Sequence, residues 1–479
     1  MRKTKIVATL GPATDDNEVL RKLILEGLDV ARFNFSHGDH EQHKGRVDNL
    51  RMLCEETGMT VALLADTKGP EIRVGLFKGG KAELEEGAIF TLTSADTVGD
   101  DSIASITYTN LPNEVKEGTR ILLDDGNIEL QVESVSGPNI KTRVMSGGPI
   151  SDRKGVNVPG VNLDMPFINA RDRSDLRFIV ENDFDIIAAS FVRSSEDIRE
   201  MREELHRLDY SNKIKIIAKI ENAEGVLNAD SILTVCDGLM VARGDLGVEL
   251  AYEELPIIQK ELIRKAVSQG KPCITATQML ESMITNSVPT RAETSDVANA
   301  IYDGTSAIML SGETAMGKYP IGSFITMSKI AARIERDIDY RQRFFRGEYR
   351  SETSVTNAIS HATVTTSHDL RTAAILTVSM SGITAQNVAK YRPTCPIIAC
   401  TPDPVVQRQL KLIWGVVPLL TDKESETSQM FNQAVDSALS AKHIEKGDLV
   451  VLTAGVPVGH SGTTNMLMVH VAGTKVLLT

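Results

Sequence analysis

Eight short apolar runs, each followed by a stretch with helical patterning, restrict this chain to very few folds. They are TKIVATLG from Thr4, DVARFNF from Asp29, VALLADTKG from Val61, FDIIAASFV from Phe184, IKIIAKIEN from Ile214, GLMVARGDLG from Gly238, KPCITATQML from Lys271 and TSAIMLSGET from Thr305. Strands that are apolar on both faces belong to a parallel sheet covered by helices on each side. Eight strand-helix units predict a closed (β/α)8 barrel of the TIM type, with an open doubly wound α/β sheet as the alternative.

Between the third and fourth units the rhythm breaks. From about 69 to 154, strand-like runs such as AIFTLT and RILLDD alternate with DDG, SGP and GG turns, which predicts a separate β-rich module inserted into a barrel loop. After a helical stretch ending near RDIDYRQRFFRGEYR, the runs TAAILTVS, CPIIACT, GVVPLLT and DLVVLTAG alternate with helical segments. They predict a third, open α/β domain. The chain divides into a barrel over 1-68 and 155-340, the inserted β-rich module over 69-154 and a C-terminal domain over 341-479. A length of 479 residues fits several cores better than one.

The formal net charge of -12 argues against a nucleic-acid or anionic-membrane surface, so an anionic ligand needs a local cluster of cations. No stretch reaches the roughly 18 to 20 uninterrupted apolar residues of a spanning helix. The N-terminal MRKTKIVATLGP breaks at Gly11 and Pro12 and reads as a first strand rather than a signal peptide. Five cysteines without a CxxC pair fit a reducing cytoplasm.

In barrels of this kind the active site lies at the C-terminal ends of the strands, so the polar residues closing each run are the candidates. Lys219 and Glu221, two residues apart, share one strand face, and Asp245 ends the neighbouring strand. Two carboxylates with open positions suit Mg²⁺ or Mn²⁺, which keep waters and take substrate oxygens. An ion pair beside an N-cap aspartate is the purely structural alternative. Gly244 and Gly247 bring a helix start whose free N–H groups form an anion site for a substrate carboxylate, with Thr277 nearby; the alternative is a plain turn.

Arg32, Asn34 and Ser36 repeat the spacing of two on the second strand, and Asp66 with Thr67 ends the third. A carboxylate, an amide and hydroxyls without histidine or thiolate suit a hard cation rather than zinc. The guanidinium forks of Arg32 and Arg73 are shaped to neutralise a phosphoryl group. His37 is an ambiguous neighbour.

Taken in order, RFNFSHG, DTKGPEIR, KGVNVPG, IAKIENAEG, MVARGDLGVE, ATQMLESM and MLSGETA closely resemble the motifs of the pyruvate kinase family, over essentially the whole chain. The resemblance implies transfer of the phosphoryl group of phosphoenolpyruvate to ADP, giving pyruvate and ATP in the last step of glycolysis. It implies Mg²⁺ (or Mn²⁺) on Glu221 and Asp245, and K⁺ on Asn34, Ser36, Asp66 and Thr67. Lys219, Arg32 and Arg73 are implied at the phosphoryl group, with Gly244, Asp245 and Thr277 around the substrate. Asn34, His37, Arg73 and Lys154 are implied toward the nucleotide, and Asp125 is a further candidate there. Thr277 is implied beside the enolate methylene, with Ser311 and Glu313 available for a proton relay, although in the family water is often the final donor. A glutamate at the place of Glu71 accompanies potassium dependence, whereas a lysine there replaces the cation. The resemblance also implies that the inserted β-rich module is a β-barrel lid.

The C-terminal domain resembles the family's effector-binding domain. Its loop SMSGIT keeps Ser379, Ser381, Gly382 and Thr384, but has Met380 and Ile383 where many sugar-bisphosphate-activated members place basic residues. GVPVGHSGTTN resembles the later effector loop. The expectation is an allosteric, cytoplasmic homotetramer of bacterial type with a sugar-phosphate or nucleotide effector. The extra C-terminal domain of some bacterial members is expected to be absent, since the chain stops at VHVAGTKVLLT. Two other readings compete: a lyase- or aldolase-type phosphoenolpyruvate/pyruvate barrel, and a non-catalytic effector-sensing paralogue.

Overall fold

All eight apolar runs form strands, and the strands close on themselves. They are Lys5–Thr9, Val30–Asn34, Ala62–Asp66, Ile186–Ala189, Lys215–Ile220, Gly238–Ala242, Cys273–Ala276 and Ala307–Leu310. Each pairs in parallel with its successor, and the last returns to the first with Lys5 opposite Ala307. The open-sheet alternative is thereby excluded. Along the strands, alternate residues such as Val7, Leu64, Ile217, Met240 and Ile274 fill the barrel interior, while Ile6, Leu63, Ile216 and Leu239 pack outward against the helices. Both faces being buried, the runs carry no polar alternation until they end.

The computed structural model describes residues 2–209, 211, 213–347, 353–424, 426–456 and 463–476. No helix among the described residues is long and apolar enough to cross a membrane.

The insert between the third and fourth barrel strands contains a seven-stranded sheet. Its edge strands, Ile72–Arg73 and Ile103–Ser105, meet through an antiparallel bridge between Val74 and Ile106. Gly75 N–H donates to the Ser105 carbonyl (2.8 Å) and Thr107 N–H to that of Arg73 (2.9 Å), so the sheet curls shut. Phe90, Leu92, Ile121, Leu130 and Ile140 form its separate core.

In the C-terminal domain the strand order is Val416–Leu420, Ile397–Thr401, Ala374–Val378, Leu449–Ala454, Met466–Val471. The first four are the parallel strands read from the sequence. The fifth, antiparallel and half exposed at the edge, was not anticipated. No helix follows it among the described residues, so it lies outside the strand-helix rhythm. The order reverses between Ala374–Val378 and Leu449–Ala454, which opens a crevice at their C-terminal ends. Ser379–Thr384 lies there; of the later loop GVPVGHSGTTN, residues 457–462 lie outside the described residues.

The C-terminal domain closes the end of the barrel opposite the strand C-termini. Leu412 joins the barrel's interior cluster, and Lys5, at the start of the first strand, donates to the Val416 carbonyl (2.8 Å). Arg408 and Gln409 engage the fully buried Asp185 and its backbone carbonyl at 2.7 and 3.1 Å. Asp29 gathers Arg2 (2.8 Å), Lys5 (3.5 Å) and Lys411 (3.3 Å).

Burial opposes the charge of Asp29, yet Lys5, Arg2 and Lys411 outweigh it and hold the carboxyl far below its ordinary value. Burial draws Lys5 down to about 8, so it stays cationic at neutral pH. A depressed carboxyl contributes stability that is complete above its unfolded value and is lost as pH falls through the folded one. Asp29→Asn is therefore expected to destabilise the chain by about 3 kcal/mol or more, because it strands a buried ammonium. Thermal unfolding checks this, and the gap to wild type should narrow as pH drops below about 4.

Candidate active site

The Lys219 side chain, 8% exposed, stands at the centre of the polar end of the barrel. Its Nζ lies 2.9 Å from Asp66 Oδ1 and 2.9 Å from Glu221 Oε1, and donates to Ser190 Oγ at 2.7 Å. Arg32 Nε donates to the other oxygen of Asp66 (2.7 Å), and its Nη1 donates to Thr9 Oγ1 (2.9 Å). The spacing of two puts Lys219 and Glu221 on one face, as expected. Glu221 follows its strand immediately. Asp245 is not at a strand end but in the first turn of the short helix Arg243–Glu249. It still reaches the cluster, since its charge acts on both Glu221 and Lys219.

Charge explains the state of each group. Burial disfavours the Lys219 ammonium, but Asp66, Glu221 and Asp245 overcome it and raise its pKa above the ordinary value. Asp66 is likewise opposed by burial but held down by Arg32 and Lys219. Glu221 and Asp245 go the other way. Burial raises both, and the charge of Asp245 raises Glu221 further despite Lys219. Two neighbouring carboxylates that resist ionising together form a donor set that a divalent cation stabilises. Among the described residues no group of three or more His, Cys, Asp or Glu side chains is placed to hold a metal ion.

The other candidates lie around this core. Asn34 pairs with Asp66 across the second and third strands, and its Oδ1 accepts Ser36 N–H (3.1 Å). Thr67 follows Asp66, and its hydroxyl accepts Ser190 N–H (3.2 Å). His37 is exposed on the same loop. Arg73 is held from both sides by Glu71 (2.8 Å to each oxygen) and donates to the Arg153 carbonyl (2.7 Å). Lys154 pairs with Asp124 (2.7 Å) in the insert. A cavity of about 140 Å³ opens between insert and barrel, with Asp125, Asn157, Phe191, Asn222 and Asp245 among its walls.

The loop after the seventh strand differs from the simple helix-terminus picture. Gly244 N–H is not free, because it donates to Thr277 Oγ1 (2.8 Å). Thr277 and Gln278 have φ of 68° and 53°, a conformation a β-branched residue rarely adopts and one concentrated at functional sites. Arg243 holds it there, donating to the carbonyls of Ala276 (3.2 Å) and Thr277 (2.6 Å) while pairing with Asp296 (2.7 Å). Glu313, buried, accepts N–H groups of Leu280 (3.0 Å) and Ser311 (2.7 Å) and so joins the last two strand-end loops. The Ser311 hydroxyl is buried with no partner among the described residues.

Two residues of this site escape the sequence reading. Ser190 ends the fourth barrel run just as Asp66 ends the third, and the same rule of polar strand ends finds it. Arg243 sits inside ARGDLG, but its hold on Thr277 depends on a loop more than thirty positions away.

Comparison with known proteins agrees with this arrangement. Residues 1–324 match the family model "Pyruvate kinase, barrel domain", and residues 357–470 match "Pyruvate kinase, alpha/beta domain". The chain belongs to the pyruvate kinase family. It is 50% identical over 472 residues to a pyruvate kinase of Geobacillus stearothermophilus, covering 98% of this chain and 80% of that one. A Clostridium acetobutylicum pyruvate kinase is 46% identical, with 98% of this chain and all of that one covered. A crystal structure of a pyruvate kinase from Cryptosporidium parvum superposes with a TM-score of 0.93 at 39% identity, covering 98% and 96% of the two chains. The chain is a bacterial-type pyruvate kinase that transfers a phosphoryl group from phosphoenolpyruvate to ADP, giving pyruvate and ATP. The lyase, aldolase and non-catalytic readings fall away.

Proposed function

We propose that this transfer takes place where Lys219, Glu221, Asp245 and Asp66 converge, beneath the inserted barrel. The array around Lys219 carries the assignment: three carboxylates face two cations, Lys219 and Arg32, and so leave a place for another cation. Glu221 and Asp245 would hold Mg²⁺ (or Mn²⁺), and Asn34, Ser36, Asp66 and Thr67 would hold K⁺. When bound, these ions neutralise the phosphoryl and enolate oxygens.

Lys219 and Arg32 steady the phosphoryl group as it moves in line between the two oxygens. Gly244 and Thr277 seat the substrate carboxylate, the Gly244 N–H exchanging its bond to Thr277 Oγ1 for one to the ligand. Thr277 faces the enolate carbon, and Ser311 and Glu313 form the relay assigned to the proton that this carbon receives. Asn34, His37, Arg73 and Lys154 take the nucleotide, with Asp125 nearby. Closure of the insert over the cleft excludes water during transfer. A coupled assay with phosphoenolpyruvate and ADP tests the site: variants of Lys219 or Asp245 should fail while an equally buried polar variant elsewhere does not.

The bidentate hold of Glu71 on Arg73 leaves no lysine at this position to stand in for a monovalent cation, which supports potassium dependence. Replacing all K⁺ with a non-binding cation is expected to lower turnover at least tenfold. Activity within twofold of the K⁺ value refutes this.

Regulation is assigned to the crevice of the C-terminal sheet. Gly382, at φ 76°, turns the loop so that its N–H donates to Ser379 Oγ (3.0 Å). Thr384 and Thr464 share a hydroxyl contact of 2.9 Å, and Ser381 Oγ is buried without a partner among the described residues. Such hydroxyls and N–H groups suit a phosphate from a sugar-phosphate or nucleotide effector. A homotetramer working in the cytoplasm completes the reading.

A further inference from the structure

Where the barrel's last helix hands over to the C-terminal domain there is a second cavity, of about 530 Å³, distant from the active cleft. That volume is within the usual range for a small-molecule site, roughly 300 to 1,000 Å³. Tyr340, part of the barrel's core cluster, and Arg341 line it from the junction helix Tyr340–Phe345; His368, Arg371, Thr372 and Thr394 line it from the C-terminal domain. Its walls are cationic. Arg341 lies over the Phe345 ring at 5.6 Å, and its ion pair with Asp369 is loose and exposed (3.8 Å), worth little in water. The Arg371 guanidinium has no carboxylate partner among the described residues. The one acidic lining residue, Asp339, is engaged in capping a helix, accepting Gln342 N–H at 2.9 Å.

Two details go beyond a charged surface. His368 is 3% exposed, yet its Nε2 is buried with no hydrogen-bond partner among the described residues, while Nδ1 lies 3.3 Å from Thr394 Oγ1. A buried polar atom without a partner costs free energy that a ligand can recover. Arg371 ends the helix Val355–Leu370 in the left-handed region, φ 51° and ψ 48°, where a glycine is the usual choice.

We propose that this cavity is a second anion site, which takes a phosphate monoester between Arg341, Arg371 and His368 and so ties the barrel to the C-terminal domain. Paired guanidinium forks match a phosphate dianion, and the hydroxyls of Thr372 and Thr394 add further contacts. It is separate from the Ser379–Thr384 loop. Ala373 lines the cavity at the start of strand Ala374–Val378, whereas the loop begins at its other end, about 20 Å away along extended chain.

The protein carries its own reporter. Its single tryptophan, Trp414, lies against Tyr340 with ring centroids 5.2 Å apart. Emission excited at 295 nm should change and saturate when one of ribose 5-phosphate, glucose 6-phosphate or AMP is titrated into the full chain. The three probes distinguish a sugar phosphate from a nucleotide. The half-saturation concentration should rise at least tenfold in R341A/R371A and stay within twofold in S381A/T384V. His368→Gln, which keeps a donor, should give an intermediate rise. Circular dichroism should be unchanged in all three, and basal turnover at saturating phosphoenolpyruvate should be unchanged in R341A/R371A and His368→Gln. The proposal is overturned if none of the probes changes the emission at 10 mM, or if the response survives R341A/R371A and disappears in S381A/T384V.

Discussion

Lys219→Met is expected to lower the rate of phosphoryl transfer by about a thousandfold or more, the scale of removing one preorganised charge contact from a water-poor site. The substitution keeps the length of the side chain and removes its charge, leaving Asp66 and Glu221 without the ammonium that lies 2.9 Å from each. Arg32 still neutralises Asp66, so the fold should hold. Exchange of pyruvate's methyl protons with solvent should persist, because in our account the proton path runs through Thr277, Ser311 and Glu313 and not through Lys219. Proton NMR of pyruvate in D₂O, beside the coupled assay, separates the two half-reactions. Unchanged phosphoryl transfer would remove Lys219 from the mechanism. Equal loss of both activities would make its role the general integrity of the site.

Asp245→Asn is expected to move stability and activity in opposite directions. Glu221 and Asp245 are both raised by burial, and Asp245 adds its charge to the cost at Glu221. Neutralising Asp245 removes that repulsion. The metal-free variant should unfold at or above the wild-type temperature, while turnover falls by a hundredfold or more. Residues kept for function commonly show this trade. Differential scanning calorimetry in EDTA, paired with turnover at saturating Mg²⁺, reads both. A marked drop in metal-free stability would mean that Asp245 is mainly a structural cap of the helix Arg243–Glu249.

Much of this architecture is legible in the amino-acid sequence. The barrel strands are uninterrupted apolar runs because both faces are covered, and Lys219 and Glu221 sit together because a strand repeats every two residues. What the sequence hides depends on distant contacts. Asp245 belongs to a helix turn rather than a strand end, and its approach to Glu221 follows from the parallel pairing of Lys215–Ile220 with Gly238–Ala242 together with that turn. The expected free N–H of Gly244 is occupied by Thr277, whose left-handed backbone is set by Arg243 and is not encoded in ATQMLES itself. Ser190 was within reach of the same rule that found Asp66. The edge strand Met466–Val471 is half exposed and has no helix after it among the described residues, so it carries neither mark of the strand-helix rhythm.

The central claim, that Glu221 and Asp245 jointly hold the divalent cation beside Lys219, is tested most directly by Mn²⁺ titration followed by electron paramagnetic resonance. The wild-type chain and the E221Q/D245N variant would be compared with and without phosphoenolpyruvate. The account predicts one Mn²⁺ per wild-type chain, bound more tightly with phosphoenolpyruvate, and loss of that site in the variant. The same stoichiometry and affinity in both proteins would contradict it.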